Sequence, residues 1–261
     1  MLAPQRYSLI LDLANRDGIV HTADLVKRMG VSSETVRKDL AYLEQKGQLE
    51  RVHGGAVPAE NAQPEKEPRG EYVSLKVRNT QHMEQKAAIV SYAASLVEEG
   101  QVVALDYGST SQVMAVELKK RFKFLTVITN SVQIALILSE CPNFTIILTG
   151  GILSKEELAL SSDFTPMLDQ LHIDILFMTV SGVDPAIGLT DQRFSEAKLQ
   201  NQMRQAASRT IVLADSSKFG RSSLVKICAL KDVDTIITDS GISQATAQAI
   251  REAGSELVIV P

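Results

Sequence analysis

Apolar side chains along this chain follow two rhythms, and the change between them divides it. Near the start, Leu2, Tyr7, Ile10, Leu11, Leu13 and Ala14 return every three or four positions, a helical stripe that Asp17-Gly18 stops. Thr22 is placed to cap a short second helix that turns Leu25, Val26 and Met29 inward. Gly30 predicts a tight turn. Ser32 then caps a third helix running to about Lys46, with Val36, Leu40 and Leu43 buried and Gly47 ending it. Residues Gln48 to Val52 alternate, and Gly54-Gly55 turns the chain back as a small hairpin. Three helices followed by a hairpin predict a winged helix-turn-helix.

From about residue 83 the rhythm changes. Short apolar runs begin at Val102, Leu125, Phe144, Ile175, Thr210, Thr235 and Leu257, and stretches of helical spacing separate them (84–98, 111–121, 131–140, 195–207 and 243–253). The runs lack one-sided alternation, so they belong to strands covered on both faces, in a mostly parallel α/β sheet. Between the two rhythms, residues 58–72 hold three prolines, alternating charges and few large apolar residues, and read as a linker. The expected organisation is a DNA-binding domain at 1–57, a linker at 58–72 and an α/β domain at 73–261.

Composition changes this picture little. The 261 residues are 44% hydrophobic and 22% charged, with a net charge of −4, so any nucleic-acid surface must come from local clustering. Cys141 and Cys228 stand far apart without CxxC spacing, which argues for free thiols and a reducing compartment. No stretch has a signal peptide's apolar core or the ~18 apolar residues that span a bilayer, so the expected location is cytoplasmic, without membrane contact. His21, His53, His82 and His172 are scattered, so no metal site is expected, and His82 and His172 read as helix-surface residues. GxGxxG, the phosphate-loop pattern and the GxSxG elbow are absent, and no cofactor or catalytic residue is expected.

Two sets of residues carry candidate chemistry. On the third helix, once the apolar stripe is assigned, Ser32, Ser33, Glu34, Thr35, Arg37 and Lys38 remain for a DNA major groove; Arg51 and His53 on the wing would meet the backbone or minor groove. The alternative is a helical protein-interaction module with solvated charges. In the second half, small and polar residues follow each strand: Asp106 to Ser111, Thr129-Asn130, Thr149-Gly150-Gly151, Ser181-Gly182, Asp215 to Gly220 and Asp239. They gather at the carboxyl edge of the sheet, where open α/β folds bind ligands. Gly108 allows close approach, and Ser109, Thr110 and Ser111 open a helix whose amino end attracts phosphate. Gly150-Gly151 offers a second close approach. Lys218 supplies positive charge, Asp106 and Asp215 accept from sugar hydroxyls, and Asn130 does both. A phosphorylated sugar fits that set.

These motifs, in this order and spacing, resemble the DeoR family of bacterial sugar-metabolism regulators over nearly the full chain. They are Val31 to Leu40 with Leu43-Glu44 and Gly47, then His53 to Ala56. In the second half they are Asp106 to Thr110, Thr129-Asn130-Ser131, Gly150-Gly151, Gly182-Val183-Asp184 with Gly188-Leu189-Thr190, and Ala214 to Gly220. The resemblance implies a sensor related to ribose phosphate isomerases and coenzyme A transferases. It also implies homodimers or homotetramers on double-stranded operator DNA, and repression relieved by a phosphorylated sugar. Carried over, it selects Asp106, Gly108, Ser109, Thr110, Asn130, Gly150, Gly151 and Lys218, and adds Glu196 and Lys198, as effector-site residues. After Gly150-Gly151 the family often has an arginine and then a glycine; Ile152-Leu153-Ser154-Lys155 stands here, followed by Leu160-Ser161-Ser162. That bears on which sugar fits. Two other readings stay open, a sugar-phosphate isomerase with an accessory DNA-binding domain, and a constitutive DNA binder whose second domain only assembles it.

Overall fold

The computed structural model describes residues 3–17, 19–52, 54–58, 73–161 and 168–261. The chain splits into two compact units, Met1–Pro68 and Arg69–Pro261. Leu2, Gly18, His53, Ser162 and all of the expected linker except Pro58 lie outside the described residues.

The first unit runs α1 (Ala3–Asp17), β1 (Val20–His21), α2 (Thr22–Met29), α3 (Ser33–Gln45), β2 (Leu49–Val52) and β3 (Gly55–Pro58). Ile10, Leu13, Ala14, Leu25, Met29, Val36, Leu40 and Leu43 form its core, as the helical spacing predicts. Ser32 caps α3 by accepting the Thr35 amide at 3.2 Å. Thr22 does not cap α2, however. It is the first helical residue, and its own amide donates to the Gly54 carbonyl at 2.9 Å, so the wing satisfies the first amide of the helix. The same turn carries β1, a two-residue strand pairing with β3 that is too short to show in the apolar pattern.

The second unit begins with α4 (Leu75–Arg78) and α5 (Met83–Ala94). Next come β4 (Val102–Leu105), α6 (Ser109–Arg121), β5 (Thr126–Thr129), α7 (Val132–Leu138) and β6 (Thr145–Leu148). A hairpin of β7 (Ile152–Ser154) and β8 (Ala159–Ser161) leads to β9 (Ile173–Thr179), β10 (Gly182–Asp184), β11 (Gly188–Asp191) and α8 (Phe194–Ala206). The unit closes with β12 (Ala207–Leu213), β13 (Val225–Cys228), β14 (Thr235–Asp239), α9 (Gln244–Glu252) and β15 (Glu256–Val260).

All seven apolar runs form one sheet in the order β15-β14-β12-β9-β4-β5-β6, and every pairing in it is parallel. Their unbroken hydrophobicity has a simple cause. Val103, Leu105, Ile175, Phe177, Ile211 and Leu213 pack beneath α5, α6 and α7. The residues between them, such as Ala104, Leu176, Met178 and Val212, pack against α8 and α9 on the other face. The strand order reverses between β4 and β9, which places the sheet's switch point there. Reading the sequence missed α4, the β7–β8 hairpin and a small antiparallel sheet, β10-β11-β13. Their strands are three or four residues long, below the length at which alternation is visible. Both histidines are exposed, but neither lies on a helix as expected: His82 precedes α5 in a left-handed conformation, and His172 lies in the loop before β9.

Candidate functional site

In the first unit, α3 presents Ser33, Glu34, Arg37 and Lys38 to solvent, with Thr35 half-buried beside the capping Ser32. Glu34 and Lys38 lie 3.6 Å apart, an exposed pair of little energetic weight that leaves both groups available. The inward face includes Asp39, a residue the apolar pattern passes over. Its carboxylate receives Arg6 of α1 in a two-pronged contact, Nε at 2.6 Å and Nη2 at 2.9 Å. Tyr7 stacks on Tyr42 with ring centroids 4.7 Å apart, a second tie between α1 and α3. Arg51 of the wing lies half-buried, its amide donating to Glu44 at 3.1 Å and its Nη1 reaching the Arg37 carbonyl at 3.5 Å. Arg51 thus braces the wing against the middle of α3. His53 falls outside the described residues.

In the second unit the candidate residues sit where the parallel strands end. The centre is the loop after β4. Asp106 is buried, and its two oxygens accept from the Thr179 amide (2.7 Å) and hydroxyl (2.8 Å), the Ser111 hydroxyl (2.6 Å), the Gln200 amide (3.0 Å) and the Gly108 amide (3.4 Å). Its role in the fold is therefore to pin β4, α6, β9 and α8 together. Burial raises its pKa, and the hydrogen bonds from Ser111, Gln200 and Thr179 oppose that shift. A side chain at Gly108 would meet Thr179 Oγ1 at 1.9 Å. Glycine is needed there because two loops touch across the switch point, where reading the sequence had looked to close ligand approach. Gly150 and Gly151 have φ of +76° and +120°, and the space around Gly150 is open; what demands glycine at these positions is backbone conformation.

Around this centre, Asn130 donates to the Leu160 carbonyl at 3.2 Å, while its buried Oδ1 and the buried hydroxyl of Thr149 have no partner among the described residues. Asp215 caps the short turn Ser216–Lys218 by accepting the Ser217 amide at 3.1 Å, and Lys218 is half-buried at the end of that turn. Glu196 is buried, accepting from the Ser195 hydroxyl at 2.8 Å, but Lys198 is exposed on the opposite side of α8. Strand spacing sets the scale of the whole. The ends of β6 and β12 lie four strands apart, about 19 Å, with the β4 loop midway. Gly150-Gly151 and Lys218 are thus flanks of a centre formed by residues 106–111.

Several polar groups at this edge escaped the reading of the sequence. Asp191, buried, accepts from the Gln192 amide (2.6 Å), the Tyr107 hydroxyl (3.2 Å) and Gln200 (3.3 Å), so the Gln200 amide bridges two acids. Burial pushes Asp191 up to about 6, helped by the charges of Asp106 and Glu196. Lys86, also buried, donates to the Gln81 carbonyl at 2.7 Å and to the Arg78 carbonyl. Burial lowers it to about 8; Asp215 counteracts this, while Lys218 and Arg78 add to it. Arg78 forms an ion pair with the buried Glu157 of the β7–β8 hairpin. Arg193 holds Ser154 (2.8 Å) and Glu156 (2.9 Å) of the same hairpin. A signal for Lys86 did exist: it heads the stripe Ile89, Val90, Ala93, Ala94 on the inward face of α5. Gln200 stands likewise among Ala197, Leu199 and Met203. Among the described residues, no cluster of three or more His, Cys, Asp or Glu is placed to hold a metal, and no helix is long and apolar enough to cross a membrane.

The buried Asp191 gives a pH prediction. Its folded pKa, about 6, lies above that of an unfolded aspartate, so the folded state holds the proton more tightly. The group then costs stability above pH ~6, and the cost disappears as pH falls toward ~4. Asp191→Asn removes the titration. The melting temperature of the wild type is expected to gain on that of the variant between pH 7 and 4.5; parallel curves would refute the assignment.

Comparison with known proteins adds independent findings. Residues 6–62 match the model of a DeoR-like helix-turn-helix domain, and residues 81–240 that of a DeoR C-terminal sensor domain. A putative aga operon transcriptional repressor of Escherichia coli O157:H7 is 33% identical over 257 residues, covering 98% of this chain and 93% of the relative. The HTH-type transcriptional regulator GolR of Listeria innocua is 31% identical, with 96% of each chain covered. A lactose phosphotransferase system repressor of Staphylococcus epidermidis is 32% identical, covering 90% of this chain and 91% of its own length. Among solved structures, a D-ribose-5-phosphate isomerase in complex with phospho-erythronic acid is 22% identical over 52% of this chain and 53% of its own, with a TM-score of 0.40. A likeness that partial says nothing about activity.

Proposed function

The chain belongs to the DeoR family of transcriptional regulators, and from that premise we propose that it represses a sugar-utilisation operon and releases its operator when a phosphorylated sugar fills the strand-end crevice. The carrying observation is the exposed face of α3. Ser33, Glu34, Arg37 and Lys38 project from a helix whose other face is locked into the unit's core. A helix set in this way can lie in the major groove with its amino-terminal side chains on base edges, the wing beside it. Two half-sites require at least a dimer, and we take the assembly to be a homodimer or homotetramer acting in the cytoplasm.

For the effector, the favoured placement has the phosphate at the amino end of α6. There Ser109 and Thr110 offer hydroxyls and amides, and Lys218 and Lys86 contribute positive charge from one side. Sugar hydroxyls would meet Asn130, whose Oδ1 has no partner among the described residues, and the carboxylate of Asp215. Asp106 serves this site by holding its walls together. Release of DNA then requires that the sugar bind better to the form that fits the operator worse. The family speaks against the isomerase reading, since the relatives described above are regulators.

Gel-shift assays on the DNA upstream of its own operon test the reading. Arg37→Ala is expected to weaken operator binding about 10- to 100-fold, the worth of one good base contact. Wild-type affinity in that variant would remove α3 from the groove. A thermal-shift screen of pentose and hexose phosphates tests the sensor, because a ligand of the folded state must raise its melting temperature. No response to any of them would favour a constitutive binder.

A further inference from the structure

We infer that two copies of this chain join edge to edge along β6, the two strands pairing antiparallel so that one sheet runs through both sensor units. The inference builds on the proposed operator reading, which requires at least a dimer, and assigns the surface that forms it.

β6 ends the seven-stranded sheet, and among the described residues no strand pairs with its outer side. The amides of Thr145 and Thr149 donate inward, to the Leu125 and Thr129 carbonyls at 2.9 and 3.0 Å. Backbone groups alternate along a strand, so the amides and carbonyls of Ile146 and Leu148 point out from the edge of the sheet. An open edge is a template for another strand, and proteins commonly guard it with charge, proline or a cover. The opposite edge is guarded in this way. β15 opens on Glu256, is followed by Pro261, and buries Leu257 and Val260. β6 reads Thr-Ile-Ile-Leu, carries no charge, and has none of its four residues fully buried.

The distribution of charge selects the partner. Between Lys123 and Lys155 the sequence has a single charged side chain, Glu140, and this stretch contains β5, α7, β6 and β7. Leu148 at the end of β6 and Leu153 of β7 are exposed, and Ile152 is 79% exposed. A two-fold interface sets each patch against itself, so any charge on it would face its own sign. A neutral, apolar edge meets no such penalty. A partner selected by opposite charge would find little on this edge to recognise.

Backbone geometry fixes the register. Outward groups must meet outward groups, and the pairing that uses both residues sets Ile146 opposite Leu148 of the second copy and Ile147 opposite its own counterpart. Ile146 and Leu148 then exchange four backbone hydrogen bonds across the two-fold axis. The two Ile147 residues form a non-hydrogen-bonded pair, with Cα atoms about 4.5 Å apart.

The test uses the full-length protein, with light scattering and sedimentation to read association. Ile147→Cys, made together with Cys141→Ser, is expected to form a disulfide-linked dimer on mild oxidation, because the pair lies within disulfide reach. Ile259→Cys on the exposed side of β15 is the control and is expected to stay uncross-linked; Cys228, which is buried, remains in both. Leu148→Pro removes one outward donor from each copy, a change that an unpaired edge tolerates. The dimer dissociation constant is therefore expected to rise about tenfold or more. Should that variant not fold by circular dichroism, Leu148→Lys replaces it with the same expectation, since a lysine on the edge blocks pairing. A wild-type dimer whose Ile147→Cys form does not cross-link, or whose Leu148 variant associates as tightly, would place the interface elsewhere; the inference is then overturned while the operator reading stands. A wild type that binds its operator as a monomer overturns it as well. A cross-linked dimer that binds no DNA supports the interface and removes the operator reading instead.

Discussion

Replacing Asp39 with alanine is expected to reduce operator binding to its non-specific level, a loss of about 10³-fold or more, while the sensor unit keeps its thermal response to ligand. Asp39 lies on the inward face of α3 and receives both prongs of Arg6, so its loss breaks the charged tie between α1 and α3. The unit is small. Its core is a single cluster drawn from three short helices and the wing, and a domain of this size has little stability to spare. The helix that loses its anchor is also the one proposed to enter the groove. Asp39→Asn, which keeps one acceptor and the shape, is expected to fall between. Circular dichroism of the isolated changes, together with operator titrations, separates the outcomes; an alanine variant that binds its operator normally would show that the pair is dispensable.

The second large effect is expected at Asp106. Alanine there strands the Thr179 amide and hydroxyl, the Ser111 hydroxyl and the Gln200 amide in a buried setting. Leaving buried donors unpaired costs about 1–3 kcal/mol each where they cannot re-pair, so a net loss of about 3–5 kcal/mol is expected after relaxation. For a unit of this size that lowers the melting temperature by about 10 °C. Ligand response should vanish as well, because the loop carrying Ser109 and Thr110 loses its fixed position. Calorimetry of the full chain would show the sensor transition moving alone. A variant that melted with the wild type and still responded to sugar phosphates would mean that the strand ends are held by other contacts.

How much of this was legible in the sequence depends on the scale of each feature. Apolar patterning revealed the seven strands of the main sheet and the three helices before the wing, because each extends over enough residues for its pattern to emerge. It said nothing of β1, β7, β8 or β10, whose few residues take their conformation from partners distant in the chain. The candidate loops were found because small polar residues follow apolar runs, yet residue type alone could not tell a group that faces ligand from one that braces the fold. Asp106 and Gly108 illustrate this. Both stand in the expected loop, and both are occupied by protein neighbours, five hydrogen-bond donors in one case and Thr179 in the other. Arg78 and Glu157 lie 79 residues apart, and only the folded chain brings them together.

The Asp106 carboxyl gives four segments of the sensor a common origin. Segments tied to one point cannot shift independently, so the floor of the crevice behaves as a single casting. The β7–β8 hairpin and the turn at 216–218 make no hydrogen bond to that carboxyl among the described residues, so substitutions there are expected to leave the floor in place. A scaffold of this kind can be refitted for a new sugar by changing its rim alone, which gives a physical reason why one sensor design can serve regulators of unlike carbohydrates.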